Sequence, residues 1–127
     1  MEEYPKYFTL NEARELLPEI EKKLEKSIKL NKSLKLLQSI KIAQEDNVDT
    51  GNLALLEYSV KQHRIAYLLF KELFDITKKG VVIKDVDSGL IDFYSKHEGK
   101  DILLCWRAGE NTINYWHELE TGFEGRK

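Results

Sequence analysis

A single cysteine, Cys105, is all that these 127 residues carry. It cannot close an internal disulfide, so the chain suits a reducing compartment. No apolar run approaches the roughly 18 residues that a membrane helix needs. The opening MEEYPKYFTL is acidic and lacks the apolar centre of a secretory signal, so a cytoplasmic protein with no membrane partner is expected. Charge of neither sign prevails: 20 Lys and Arg against 22 Asp and Glu leave a net charge of −2. The general electrostatic reason to expect nucleic acid as a partner is therefore missing. Fixed-spacing chemical motifs are missing too. There is no HExxH, no CxxC and no paired-cysteine module.

What is present reads as one globular domain over 1–127, 42% hydrophobic and 33% charged. A chain of this length buries roughly two-thirds of its unfolded surface. Its expected fold is α+β. A long antiparallel two-helix hairpin, about 9–79, precedes a small three- to four-stranded antiparallel β-meander and C-terminal loop, about 80–127.

Thr9-Leu10-Asn11-Glu12 is a capping box, with Phe8 placed to staple onto the first turns. The helix it opens runs to about Gln44. Pro18 has no N–H and crowds the carbonyl of Arg14, which predicts a kink or a short helix feeding a longer one. Leu17, Ile20, Leu24 and Ile28 share one side; Leu30, Leu34, Leu37 and Ile40 lie on another. Glu45 to Asn52 is a polar turn. The second helix spans about Leu53 to Lys79, where Lys78, Lys79 and Gly80 are a stop signal. Leu56, Val60, Tyr67, Phe70 and Phe74 form its main apolar stripe, with His63 inside it. Tyr58, Ile65, Leu69 and Ile76 form a second stripe on nearly the opposite side. A helix apolar on two sides is covered on two sides. One cover is the first helix. The other is the β segment or a second copy of the chain.

After Gly80 the apolar period changes from helical to alternating. Strands are expected at Val81–Lys84, Leu90–Tyr94, Ile102–Arg107 and Thr112–His117, joined by Asp87-Ser88-Gly89, Lys96–Gly99 and Ala108–Asn111. Four-residue turns would set Phe93 opposite Ile102, Ile91 opposite Leu104, Trp106 opposite Ile113 and Leu104 opposite Tyr115. One face then carries Ile91, Phe93, Ile102, Leu104, Trp106, Ile113, Tyr115 and His117. The other carries Leu90, Asp92, Leu103, Cys105, Arg107, Asn114 and Trp116. A one-residue slip in either turn exchanges faces locally.

Two separated blocks carry a resemblance. The first is Tyr7-Phe8-Thr9-Leu10-Asn11-Glu12-Ala13-Arg14 with Leu16-Leu17-Pro18-Glu19. The second joins Gly89–Phe93, Leu103-Leu104-Cys105-Trp106-Arg107 with Gly109-Glu110, and Tyr115-Trp116-His117-Glu118-Leu119-Glu120 with Gly122-Phe123 and Gly125-Arg126. The chain resembles the bacterial and archaeal proteins grouped as domain of unknown function 2203. The resemblance implies a small stand-alone prokaryotic protein and supplies no catalytic roles.

Chemistry, where the residues allow it, concentrates at the end of the sheet. His117, Glu118 and Glu120, with Asp92 and further candidates Asp85, Asp87 and His97, offer N and O donors for a divalent metal ion. The plainer reading packs His117 at the sheet edge and pairs the acids with Arg107 or Arg126. Asp92 and Arg107 are set for a cross-strand ion pair; alternatively Arg107, with Trp116 as a stacking surface and Asp92 beside it, would hold a small anionic ligand. Cys105 reads as a small buried hydrophobe, since His117 falls on the opposite face. Gly122 to Arg126 reads as a loop that docks Phe123. Lys26, Lys29, Lys32, Lys35 and Lys41 spread around the first helix as a solvated face. The leading expectation is a non-enzymatic interaction or assembly module that self-associates through its helices as a homo-oligomer, a dimer first of all. The second is a divalent-metal-binding protein or metal-dependent enzyme, and the third a binder of small anions.

Overall fold

The computed structural model describes residues 5–45 and 52–127; for 41–45 and 52 it describes the backbone alone. Helix α1 spans Leu10–Glu45 and α2 spans Asn52–Lys78. Strands β1 (Val82–Asp85), β2 (Leu90–His97), β3 (Lys100–Arg107) and β4 (Tyr115–Glu118) follow, then a short 3-10 turn, Phe123–Gly125. The strands make one antiparallel sheet in chain order, the expected meander behind the expected hairpin. The turn expected between the helices lies, over 46–51, outside the described residues.

The capping box forms as the sequence implies. The Thr9 amide donates to Glu12 Oε1 at 2.8 Å, and the Glu12 amide donates to Thr9 Oγ1 at 3.1 Å. Phe8 is buried together with Ala13, its ring edge-on to Phe93 at 5.3 Å. Its amide donates to the Tyr94 carbonyl, which ties the chain start to β2. Helix α1 runs through Pro18 as one 36-residue element rather than two pieces. Leu17, Ile20 and Leu24 beside the proline are buried against the sheet core of Ile91, Phe93, Ile102, Leu104 and Trp106. That packing outweighs the backbone hydrogen bond lost at one position. Farther along, Leu30, Leu34 and Leu37 are only half buried, because here α1 has passed the sheet's core and packs mainly on α2, with Asn31 and Lys35 reaching Asp87 of the β1–β2 turn.

Two turns set the sheet, and both differ from expectation. His97 pairs with Lys100, so Glu98 and Gly99 alone make the β2–β3 turn. Both have positive φ, 53° and 80°, the requirement of a tight hairpin turn whose twist suits the strands. Ile91 therefore faces Trp106 and Phe93 faces Leu104. This is a two-residue shift from the expected register, and it leaves every β2 and β3 side chain on its expected face. The β3–β4 connection is longer than expected, Ala108 to Asn114. Thr112 to Asn114 stay outside the strand. Ile113 turns into the core, and its carbonyl accepts from Arg14 Nε and Nη2 at 3.1 and 2.9 Å. Leu104 consequently faces Trp116, Cys105 faces Tyr115 and Leu103 faces His117. The slip is one residue, and it exchanges the faces of β4. Trp116 joins the helix side of the sheet, while His117 moves to the opposite side with Asp92 and Cys105.

Candidate functional site

The centre of the sheet's far face is buried as well as polar. Asp92, Leu103, Cys105 and His117 are all buried there. The C-terminal segment returns after β4 and brings Arg126 over this face, to Tyr115 and the Cys105 thiol. Lys127 and Trp116 exchange main-chain hydrogen bonds, at 2.7 Å from the Lys127 amide and 3.4 Å to the Lys127 carbonyl. Arg126 anchors the cover. Its Nη1 donates to Glu110 Oε1 at 3.1 Å, its Nη2 pairs with Oε2 at 2.8 Å, and the guanidinium lies 4.0 Å from the Tyr115 ring and 4.1 Å from the Phe123 ring. Glu110 also accepts from the Arg107 amide at 2.7 Å, so the anchor is fixed to the end of β3. Phe123 docks beneath Arg107 and Arg126, as the loop reading anticipated.

Under this cover Asp92 of β2, Cys105 of β3 and His117 of β4 converge. One ligand-type atom from each lies within 4.8 Å of the others. Asp92 stands directly opposite Cys105 across the β2–β3 ladder. The His117 Nδ1 is 2.8 Å from the Glu118 carbonyl, an acceptor only, so Nδ1 carries a proton. Its Nε2 points at the Asp92 carboxyl, 3.4 Å from Oδ1 and 3.3 Å from Oδ2. Oδ2 is buried and makes no hydrogen bond of acceptable geometry. Burial pushes the Asp92 carboxyl above its ordinary range, against the pull of His117. Burial likewise pushes the Cys105 thiol up to about 11, with the Asp92 charge adding to it and Arg126 opposing. Such a thiol is not an activated nucleophile.

The other expected site residues go elsewhere. Glu118 and Glu120 are exposed and line a shallow depression of about 410 Å³ with His97, Glu98 and Trp116. His97 stacks near Trp116, 5.0 Å between ring centroids. Asp85 accepts from the Ser88 hydroxyl within its own turn, and Asp87 accepts from Asn31 and Lys35 of α1. Arg107 and Trp116 stand on opposite faces, because Trp116 faces Leu104. Among the described residues Arg107 does not pair with Asp92; it lies over Phe123, while Asp92 turns to His117. Cys105 is the member that sequence reasoning set aside. Its only signal was the face it shared with Asp92, and the slip at β4 hid the histidine.

A second feature lies on α2. Tyr58, Leu69 and Ile76 are buried and Ile65 is half buried, the inner stripe. The other stripe, Leu53, Leu56, Val60, Tyr67, Phe70 and Phe74, is at least half exposed at every position. Neither α1 nor the sheet covers it. Among the described residues Lys26 and Lys35 are engaged in ion pairs, with Glu72 and Asp87. Among the described residues no helix is long and apolar enough to cross a membrane.

Hairpin, meander and sealed polar cluster together define an α+β protein with an uncovered helical stripe. The chain belongs to the family described as uncharacterized conserved protein DUF2203, whose model matches residues 6–127. No curated protein and no solved structure matches it.

Proposed function

We propose that this protein is an assembly module whose α2 helix packs against α2 of a second copy. The observation that carries this is the spacing of the exposed stripe. Leu53, Leu56, Val60, His63, Tyr67, Phe70 and Phe74 follow one another in alternating steps of three and four, the pattern of a coiled-coil seam. At a rise of about 1.5 Å per residue the seam is about 32 Å long. A contiguous apolar band of this kind is uncommon on a monomer. Completing the burial of a half-exposed Leu or Phe is worth about 1 kcal/mol. A dozen such side chains across a two-fold axis are of the order of the association cost, about 4–15 kcal/mol.

The flanking charges favour an antiparallel arrangement. Such a seam sets Leu56 against Phe74, Val60 against Phe70 and His63 against Tyr67 of the second copy. The same alignment brings Glu57 beside Lys71, twice, by symmetry. A charge swap tests this. Glu57→Lys and Lys71→Glu should each weaken self-association, and the double variant should recover most of the loss. Equal self-association in all four proteins would remove α2 from the interface; uncorrected loss in the double variant would exclude the antiparallel pairing.

A further inference from the structure

We propose that Asp92, Cys105 and His117 bind one divalent transition-metal ion, of the zinc or cobalt kind, under the C-terminal cover. The ligands come from three adjacent strands of one sheet, so the backbone ladder holds them in place before any ion arrives. Their ligand atoms lie within 4.8 Å of one another, and the three side chains are almost wholly buried. One nitrogen, one oxygen and one sulfur suit an ion of borderline softness and not magnesium or calcium, which prefer oxygen alone.

Two observations, independent of the clustering, point to a cation. The first is Asp92 Oδ2, buried, without a hydrogen bond, and aimed at the cluster. The second is the orientation of His117. Its Nδ1–H is committed to the Glu118 carbonyl, the second partner that fixes a metal-binding imidazole in other proteins. In the neutral ring this leaves Nε2 free to ligate, 3.3 Å from the Asp92 carboxyl, and a cation bound there would be held by both. The Cys105 thiol lies in hydrogen-bond contact with the Asp92 carboxyl, so the sulfur belongs to the same cluster. A metal ion uses all three. A bound ion takes the sulfur as thiolate, and the thiol proton passes to solvent. Three protein ligands leave one position of a tetrahedral ion open to a further small ligand. Glu110, Arg126 and Phe123 act as the lid that governs access.

The test uses the full chain prepared without a polyhistidine tag, stripped with a chelator, and titrated with cobalt(II). The expected result is one ion per chain, a rise in melting temperature, and a near-ultraviolet thiolate-to-cobalt band. Because Cys105 is the only cysteine, that band in the unaltered protein can come from no other residue. Cys105→Ser should abolish the band, and Asp92→Asn should weaken binding by at least the roughly 10–100-fold seen when outer partners of a metal are removed. Asn at 92 can donate to Nε2, so this variant should still fold. Absence of the thiolate band at saturating cobalt overturns the proposal. Unchanged affinity in Asp92→Asn overturns it equally, and an ion bound without the band assigns the metal to another place, such as the depression near His97.

Discussion

Arg126 does more for the far face of the sheet than its position near the chain end suggests. It hydrogen-bonds and ion-pairs with Glu110, lies against the Tyr115 and Phe123 rings, and reaches the Cys105 thiol. Arg126→Ala removes charged hydrogen bonds and two ring contacts, at a cost of about 1–3 kcal/mol in stability. It should also expose the thiol. In the unaltered protein Cys105 is buried and its thiol is pushed up to about 11, so native-state alkylation near neutral pH is slow on both counts. Arg126→Ala should speed that alkylation without unfolding the chain, and an unchanged rate would mean the cover does not depend on Arg126. At this scale the sequence was legible in part. Asp92 and His117 stood out as polar groups among large apolar ones. Cys105 did not, because a small apolar residue between Leu104 and Trp106 looks the same whether or not it meets a histidine. Which residues meet is decided by register, and register rests on turn length.

Elements were easier to read than their joints. Helix bounds followed from the capping box at Thr9 and the lysine–glycine stop at Gly80, both local in cause. The strands followed from alternation. The turns were harder. At β2–β3 an error of two residues did no harm to the faces, since side-chain direction repeats every two. At β3–β4 the error was one residue, and it moved His117 and Trp116 across the sheet. The cause is tertiary: Ile113 leaves the strand path to fill the core, and Arg14 of α1 holds its carbonyl there. No pattern within 108–114 encodes that contact. The tight β2–β3 turn makes its own prediction. Glu98 is held at a φ of 53°, which costs a side chain such as glutamate roughly 1–2 kcal/mol and asparagine less. Glu98→Asn, followed by Gly99, should stabilise the fold by up to about 1 kcal/mol in chemical denaturation. A neutral or destabilising result would mean the exposed Glu98 side chain makes a compensating interaction.

For the molecule as a whole, the division of labour between its two ends explains the composition. The sheet and the first half of α1 close a core around Trp106 and Phe93, and a second, polar interior lies beneath the C-terminal segment. Among the described residues the helical hairpin beyond the sheet has no third layer, and its seam on α2 faces outward with Tyr67, Phe70 and Phe74. The sequence already pointed to a helix with two apolar sides; the fold answers which side is left over, and the β segment is not its cover. Self-association through that seam would supply the missing cover. Sedimentation equilibrium of the unaltered full chain at micromolar concentration tests it most directly. The expected mass is twice that of the 14.9 kDa chain, falling to a single chain in Phe70→Glu while the fold is kept. A single-chain mass for the unaltered protein across that concentration range would contradict it.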